Sequence, residues 1–307
     1  MTLLISDAEV AATLDAATTV AAMRDALLAA HAGHLVAPPR AAAPLAGGRL
    51  VLTAGQLVGE WYGYRSYDTF GHPGTEQLVV LHDARTGAVR AVAVGEELGS
   101  RRTGGLGGVA VDALARPDAA TVGVLGSGRQ AWTQLWATAA VRDLREVTVH
   151  SPNPAHRTAF AARVHAELGV PARPVDSASA AVRDRDVVLV ATTSVTPVLA
   201  AADLAPGTHL NVVGFKQLDR HEFGTDLLDA AEVLVTDSPA QAGAYLPPML
   251  AALPPYAGRL RDLGAVLAGA VPGRTGADQV SVFCSTGLAG TEVFLLDRMV
   301  RVGVAPA

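Results

Sequence analysis

The chain has one cysteine, Cys284, in 307 residues. That excludes an intramolecular disulfide and a cysteine zinc cluster, and a lone cysteine reads first as a small buried apolar residue. Aromatic residues make up only 5%, and with abundant Ala and Val this suits a helix-rich α/β protein. No run of Lys or Arg stands out and the formal net charge is −5, so nucleic acid is not an expected partner. No stretch reaches the ~18 apolar residues of a membrane span. The opening MTLLISDAEV also lacks a basic segment with a long apolar run behind it, so a cytoplasmic-type protein with no membrane partner is expected. No metal site is expected either.

What is present is a chain that is 50% apolar, long enough for about two domains and a sizeable core. Its organising stretch is TVGVLGSGRQA at 121–131. Val122, Val124 and Leu125 form a short strand-like run that stops at Gly126-Ser127-Gly128, and a helical pattern follows over 130–140. In that order the first glycine makes the turn and the second leaves bare backbone for a pyrophosphate at a helix N-terminus. Ala131, in the third position, is small enough for close helix-to-strand packing. A second β-type run at 146–150 lies at the spacing of the next strand of a βαβ unit.

Ahead of this motif a short strand is expected at 3–5, then helices over 8–14, capped by Ser6-Asp7, and over 18–31. Two prolines hold 35–40 (LVAPPR) extended, so that Arg40 projects from a rigid segment. Between 50 and 94 the runs RLVLTAG, WYGYRSY, EQLVVLHD and AVRAVAVG read as strands, the last two joined by a hairpin turn, DARTGA. GSRRTGGLGGVAVDAL (99–114) reads as a helix whose glycines, each costing ~1 kcal/mol in isolation, imply close packing against a neighbour. After the motif come a helix over 154–168 and continuous apolar strands at 186–191, 208–213 and 232–235. Each of these is preceded by helix-compatible sequence, so 117–237 predicts β-α repeats in one parallel sheet. The stretch 247–276 is read as partly helical, 280–283 as a strand and 287–301 as a final helix.

Taken together, LLISDAEV, VAPPR, WYGYR, the SRRTGGLGGVAVDALARPDAATVGVLGSGRQA segment, DVVLVATTSVTPVL, GTHLNVVGFKQLDRHEF and VFCSTGLAGTEV resemble the ornithine cyclodeaminase and mu-crystallin family, which includes alanine dehydrogenases and ketimine reductases. The similarity runs nearly end to end. It implies a Rossmann-type, doubly wound parallel sheet over 116–287, plus a mixed α/β substrate-binding and dimerisation domain over 1–115 that the C-terminal helix, about 288–307, rejoins. A homodimer is the implied assembly. It also implies that Arg40 and Arg65 hold a substrate carboxylate, for which a guanidinium's paired donors are suited; without the resemblance both read as surface ion-pair arginines. Arg102 and Thr103 are implied to contact cofactor phosphate and substrate, and Gly126, Gly128, Arg129 and Gln130 to form the pyrophosphate loop. Thr192 falls at a cofactor ribose, Val213 and Gly214 at the nicotinamide, and Ser285 and Thr286 at the carboxamide side and the substrate edge.

The chain departs from the cyclodeaminase pattern at two positions. Arg65 stands where that enzyme has a lysine, and an arginine does not exchange protons near neutral pH. Lys216, in GFKQ, stands where it has its catalytic aspartate. Cyclodeamination is therefore disfavoured, and so is a substrate with a cationic tail. Hydride transfer at a C=N or CH–NH bond remains, with Lys216 as proton donor or carboxylate anchor. Glu222 is read as orienting or capping a nearby helix, while His72 and His221 are possible proton carriers. Two alternatives stay open: a lyase with altered catalytic groups, and a ligand-binding protein that has lost turnover. For the cofactor, the second strand ends in VHSPNPAHR without the Asp or Glu that binds an NAD ribose. Ser151 and Asn153 can donate to a 2′-phosphate and Arg129 or Arg157 can add charge, so NADP is favoured over NAD.

Overall fold

The computed structural model describes residues 1–72 and 74–304. It is built on two sheets. The first begins with β1 (Leu3–Ile5), followed by α1 (Asp7–Thr13) and α2 (Ala16–His31). Ser6 and Glu9 cap α1 reciprocally, and Asp15 caps α2 through the Thr18 amide. Then come β2 (Leu35–Val36), β3 (Ala41–Leu45), β4 (Gly48–Leu57), β5 (Trp61–Asp68), β6 (Leu78–Asp83) and β7 (Val89–Val94). The strands lie in the order β1-β7-β6-β5-β4-β2, with β3 also on β4, and only the β1–β7 pair is parallel. Alternation along β4 and β5 turns Val51, Thr53, Trp61 and Gly63 inward and leaves Leu50, Leu52, Tyr62 and Tyr64 exposed. β3 has no signal in the sequence, because AAAPL carries no β-branched residue.

The second sheet follows α3 (Glu97–Leu114). Its elements are β8 (Thr121–Leu125), α4 (Arg129–Ala139), β9 (Glu146–His150), α5 (Pro154–Leu168), β10 (Ala172–Pro174), α6 (Ala178–Val182), β11 (Val187–Val190) and β12 (His209–Val212). A small ladder of β13 (Lys216–Gln217) and β14 (Arg220–His221) intervenes before α7 (Thr225–Ala230), β15 (Val233–Thr236) and α8 (Pro239–Gly243). β16 (Leu260–Asp262), α9 (Leu263–Leu267), β17 (Ser281–Cys284) and α10 (Thr291–Val302) complete the chain. All eight strands are parallel, in the order β10-β9-β8-β11-β12-β17-β15-β16. The chain runs outward from β8 in both directions, so the crevice beyond the carboxyl ends of β8 and β11 is the switch point where open α/β sheets bind ligands.

Some expectations need correction. No α-helix separates β11 from β12, only a short 3₁₀ turn at Ala201–Asp203; Pro197 and Pro206 in that stretch deny a helix its donors. The 247–276 region supplies an edge strand, β16, as well as short helical turns at Leu250–Ala252, Ala257–Arg259 and α9. The last helix ends at Val302 on Gly303, which has φ 85°; 305–307, part of the helix expected to reach 307, fall outside the described residues. α10 packs on β5, β6, α2 and α3, returning to the first sheet.

The glycines of α3 have a packing reason. A Cβ on Gly104 would stand 2.3 Å from the Thr133 carbonyl oxygen of α4, and one on Gly105 would stand 2.8 Å from Met23 and Thr19 of α2. α3 is therefore wedged between α4 and α2 at backbone contact. At its centre the Gln134 side chain donates to the Thr103 carbonyl (2.8 Å) and accepts from Asn211 Nδ2 (3.0 Å), which also donates to the Gly107 carbonyl. Asn211 in turn pairs with His209 (2.9 Å), whose burial pushes the imidazole down to about 3. Gly104→Ala should thus lower stability by about 1–3 kcal/mol, since overpacking against a carbonyl outweighs the gain in helix propensity. Urea unfolding checks this, and a midpoint at or above the parent's would contradict it.

Candidate active site

Two cavities lie near the ends of β11 and β12, with a third space between them. The larger, of about 1370 Å³, runs over the glycine turn, with Gly126, Gly128, Arg129, Trp132, Ser151, His156, Phe160, Arg163 and Thr192 in its wall. Gly126 has φ 108°, and a Cβ there would meet the Ala191 carbonyl at 2.3 Å, so backbone geometry demands this glycine. Gly128 differs: it faces open space at the N-terminus of α4, which has no side-chain cap. An uncapped helix start above a bare backbone fits a pyrophosphate. Gln130 lines the adjoining end of the cleft, of about 420 Å³, with Thr192, Val213 and Gly214. Its buried Oε1 accepts no hydrogen bond, as expected of an acceptor waiting for a cofactor amide or hydroxyl.

Glu222 holds this end of the cleft together. One of its oxygens accepts from the Thr192 amide and hydroxyl, both at 2.8 Å, and the other from the Gly214 amide at 2.5 Å. The carboxyl thus ties the loop after β11 to the loop after β12. Burial pushes its pKa up, against the opposing pull of the Thr192 hydrogen bonds and of Lys216. Gly214 cannot carry a side chain, because a Cβ would lie 2.3 Å from Glu222. Glu222 therefore clamps two loops, where the sequence suggested only a helix cap.

The smaller cavity, about 160 Å³, is lined by Arg40, Arg65, Arg102 and Lys216 and by no carboxylate among the described residues. Arg65 lies on β5 opposite Thr53 of β4, Arg102 on α3, and Lys216 at the start of the β13 ladder. Lys216 is only 4% exposed. Its ammonium donates to the carbonyls of Val213 (3.1 Å) and Gly214 (2.5 Å), which places it at the junction of the two cavities. Arg40 donates to Tyr67 Oη (3.3 Å) and to the Thr286 carbonyl, and its own amide is held by Gln241. Thr103 and Ser285 also line this cavity, and Thr286 closes it with its hydroxyl donated to Asp237 (2.8 Å).

Glu292, at the start of α10, sets the electrostatics. Its Oε1 accepts from Arg65 at 2.7 Å and from Arg102. Burial alone would raise the pKa of this carboxyl, but Arg102 and Arg65 outweigh it and hold the group at about 2. Gln77 adds two bonds to Arg65 through its amide oxygen, at 2.9 and 2.6 Å. Arg65 also lies over Tyr67, with Cζ 4.4 Å from the ring centre. Even so, burial lowers the Arg65 pKa, with Arg102 adding to the effect.

Among the residues singled out from sequence, Arg40, Arg65, Arg102, Thr103, Lys216, Ser285 and Thr286 share the small cavity. Gly126, Gly128, Arg129, Ser151 and Thr192 share the large one, and Gln130, Val213 and Gly214 lie in the space between them. Two residues stand apart. Asn153 accepts from the Ala155 amide as the N-cap of α5. Arg157 bonds the Ser151 carbonyl (3.0 Å) and Asp176, and it does not line the cleft. Helix periodicity explains this, since Arg163 and His156 sit on the face of α5 toward Trp132 and Arg157 does not. Neither expected proton carrier, His72 or His221, lines the small cavity. Sequence reasoning missed Glu292, Thr53, Tyr67, Tyr245 and Asp237; Asp237 accepts from the Thr286, Gly287 and Leu288 amides at 2.6–2.9 Å. An acid inside an apolar helix was the one available signal for Glu292.

A parallel sheet with a glycine turn at its switch point, joined to a second sheet that closes a cationic cavity, defines a dinucleotide-binding α/β protein. The chain belongs to the ornithine cyclodeaminase/mu-crystallin family, whose model matches residues 1–302. It is 31% identical over 235 residues to a Δ1-pyrroline-2-carboxylate reductase of Bacillus cereus, covering 74% of this chain and 72% of that one. Among solved structures it matches the Thermococcus litoralis Δ1-pyrroline-2-carboxylate reductase in complex with NADH and L-proline, with a TM-score of 0.89, 28% identity and 99% of each chain covered. An archaeal alanine dehydrogenase dimer with bound NAD matches with a TM-score of 0.87 at 25% identity, over 99% of this chain and 98% of that one.

Glu292→Gln leaves two buried guanidinium groups without a counter-charge and should cost about 3–5 kcal/mol near neutral pH. The unfolded chain protonates this carboxyl near its ordinary 4.5 and the folded chain only near 2, so the stability it adds is complete above 4.5 and is lost as pH falls toward 2. Denaturant unfolding across pH should show the gap between parent and variant narrowing over that window. A gap constant with pH would contradict the ion-pair assignment.

Proposed function

We propose that the chain is an NAD(P)H-dependent oxidoreductase that acts on the C=N bond of a 2-imino acid, or on the CH–NH bond of the matching amino acid. The observation that carries this reading is the junction, at Arg65 and Val213, of the cofactor-shaped cleft with a cationic cavity that has no carboxylate among its described lining residues. The reductases of Bacillus and Thermococcus named above add support. A nicotinamide bound in the cleft supplies hydride exchange with the substrate carbon. Of the protein's own groups, the glycine turn and α4 hold the pyrophosphate, and Glu222 fixes the Thr192 and Gly214 loops beside the ring. Arg40 and Arg102 bind the substrate carboxylate, with Arg65 behind them. The Lys216 ammonium faces the imine nitrogen as proton donor or holds a second acidic group. Because none of the described residues lining this cavity is a carboxylate, the base expected of a cyclodeaminase is missing.

NADP is the favoured cofactor in this reading. β9 ends at His150-Ser151 without an acid, and Ser151, His156 and Arg163 stand in one wall of the cleft. Of the two arginines, Arg163 rather than Arg157 would face a 2′-phosphate, although it is paired with Glu167 in the same lining and lies over Trp132. Purified protein should oxidise NADPH faster than NADH when given Δ1-pyrroline-2-carboxylate or imines formed from 2-oxo acids and ammonia, and Arg102→Ala should lower kcat/KM by about a hundredfold. Saturable ligand binding with no turnover of any imine would refute the proposal.

The chain is also proposed to work as two units, 1–115 with the final helix and 116–287, the first of them pairing two copies. Leu50, Leu52, Tyr62 and Tyr64 form an exposed apolar face on β4 and β5, 37–40% accessible each, and a second copy is the partner such a face suits. Sedimentation should give the mass of two chains, and Tyr64→Glu or Leu52→Glu should halve it. A single-chain mass for the parent would remove this assignment.

A further inference from the structure

Reduction of a 2-imino acid needs one carboxylate site, yet the small cavity carries more positive charge than one carboxylate balances. Four cations line it, Arg40, Arg65, Arg102 and Lys216, without a carboxylate among the described lining residues. Glu292, behind the wall, is in direct contact with Arg65 and Arg102 and reaches Arg40 only at longer range. The other acids near the cavity are already engaged. Asp237 gives its oxygens to the Thr286 hydroxyl and to the backbone amides of 286–288, and Glu222 gives its own to Thr192 and Gly214. Among the described residues Arg40 and Lys216 therefore form no close salt bridge, and feel Glu292 and Glu222 only at longer range.

Donor capacity shows the same surplus. The Nε atoms of Arg40 and Arg102 are buried and donate to nothing, and so is the Thr53 hydroxyl, at a residue only 4% exposed. Lys216 spends two of its three ammonium hydrogens on backbone carbonyls and keeps one. Buried charges and donors left open in this way call for a ligand that brings both charge and acceptors.

We infer that the substrate bears two carboxylates: a short 2-imino dicarboxylic acid, or the matching dicarboxylic amino acid in the oxidative direction. One carboxylate lies on Arg40 and Arg102 and the other reaches Lys216 and Thr53. The cavity volume of about 160 Å³ restricts the chain joining them to a short one. Lys216 is in this account a specificity-determining residue. The inference rests on the imine-reductase reading for the reaction, but the binding measurement below does not depend on turnover.

The test pairs ligands that differ by one carboxylate. With NADPH-loaded protein, L-aspartate and L-glutamate should bind at least about tenfold more tightly than L-alanine and L-proline, read by isothermal titration or by the shift of the melting temperature. In turnover, imines formed from oxaloacetate or 2-oxoglutarate with ammonia should show higher kcat/KM than those from pyruvate, or than Δ1-pyrroline-2-carboxylate. Lys216→Gln should reduce this preference by about a hundredfold, with Lys216→Arg retaining most of it. Equal or tighter binding of the monocarboxylates overturns the inference, and so does a Lys216→Gln variant with the preference intact. Tight dicarboxylate binding without reduction of any imine would sink the reductase reading and leave the ligand class standing.

Discussion

One buried carboxylate, Glu292, shared between Arg65 and Arg102, is the interaction on which the arrangement of the site depends. Three guanidinium groups and an ammonium close together in one small cavity repel one another and resist desolvation. A single acid at the start of α10 makes that tolerable, because each of its partners comes from a different part of the chain: Arg65 from a strand of the first sheet and Arg102 from α3. The same contact pins the last helix to the first sheet. Cavity electrostatics and chain return are thus one feature, with positive charge left over on the cavity wall.

The cofactor side is organised by close approach of backbones. Gly126 lets the turn after β8 touch the loop after β11, Gly214 lets Glu222 tie that loop to the one after β12, and Gly104 and Gly105 let α3 lie against α4 and α2. Through Gln134, Asn211 and His209 a buried polar chain joins α3 to the middle of the parallel sheet. Arg102 and Thr103, near the start of α3, are therefore carried on a helix whose position is set by the nucleotide-binding sheet. The substrate groups and the cleft keep a common frame for this reason.

Several parts of this were legible in the chain. The glycine turn, the βαβ spacing and the apolar parallel strands follow from local chemistry, as do the hairpin at Asp83 and the capped helices at the start. The glycine-rich helix was readable as a close-packed one, but not its neighbours. Arg40, Arg102 and Lys216 were singled out on residue type and on resemblance, and they do line one cavity. Arg157 and Arg163 were equally basic to a reader of the sequence. Only the rotation of α5 against Trp132 distinguishes them, and that rotation depends on packing across the cleft.

Sequence alone determined the glycine turn after β8, the absence of an acid after β9 and the basic residue at Lys216, because each is a matter of which side chain stands at a local pattern. Tertiary structure decided which charges face one another. It placed Glu292 between two arginines far away along the chain, closed the cavity without a carboxylate in its described lining and left Arg40 and Lys216 without a close salt bridge among the described residues. Such pairings arise from contacts between elements remote in sequence, and Coulomb energy over a few ångströms depends on distance in space and on burial rather than on position in the chain.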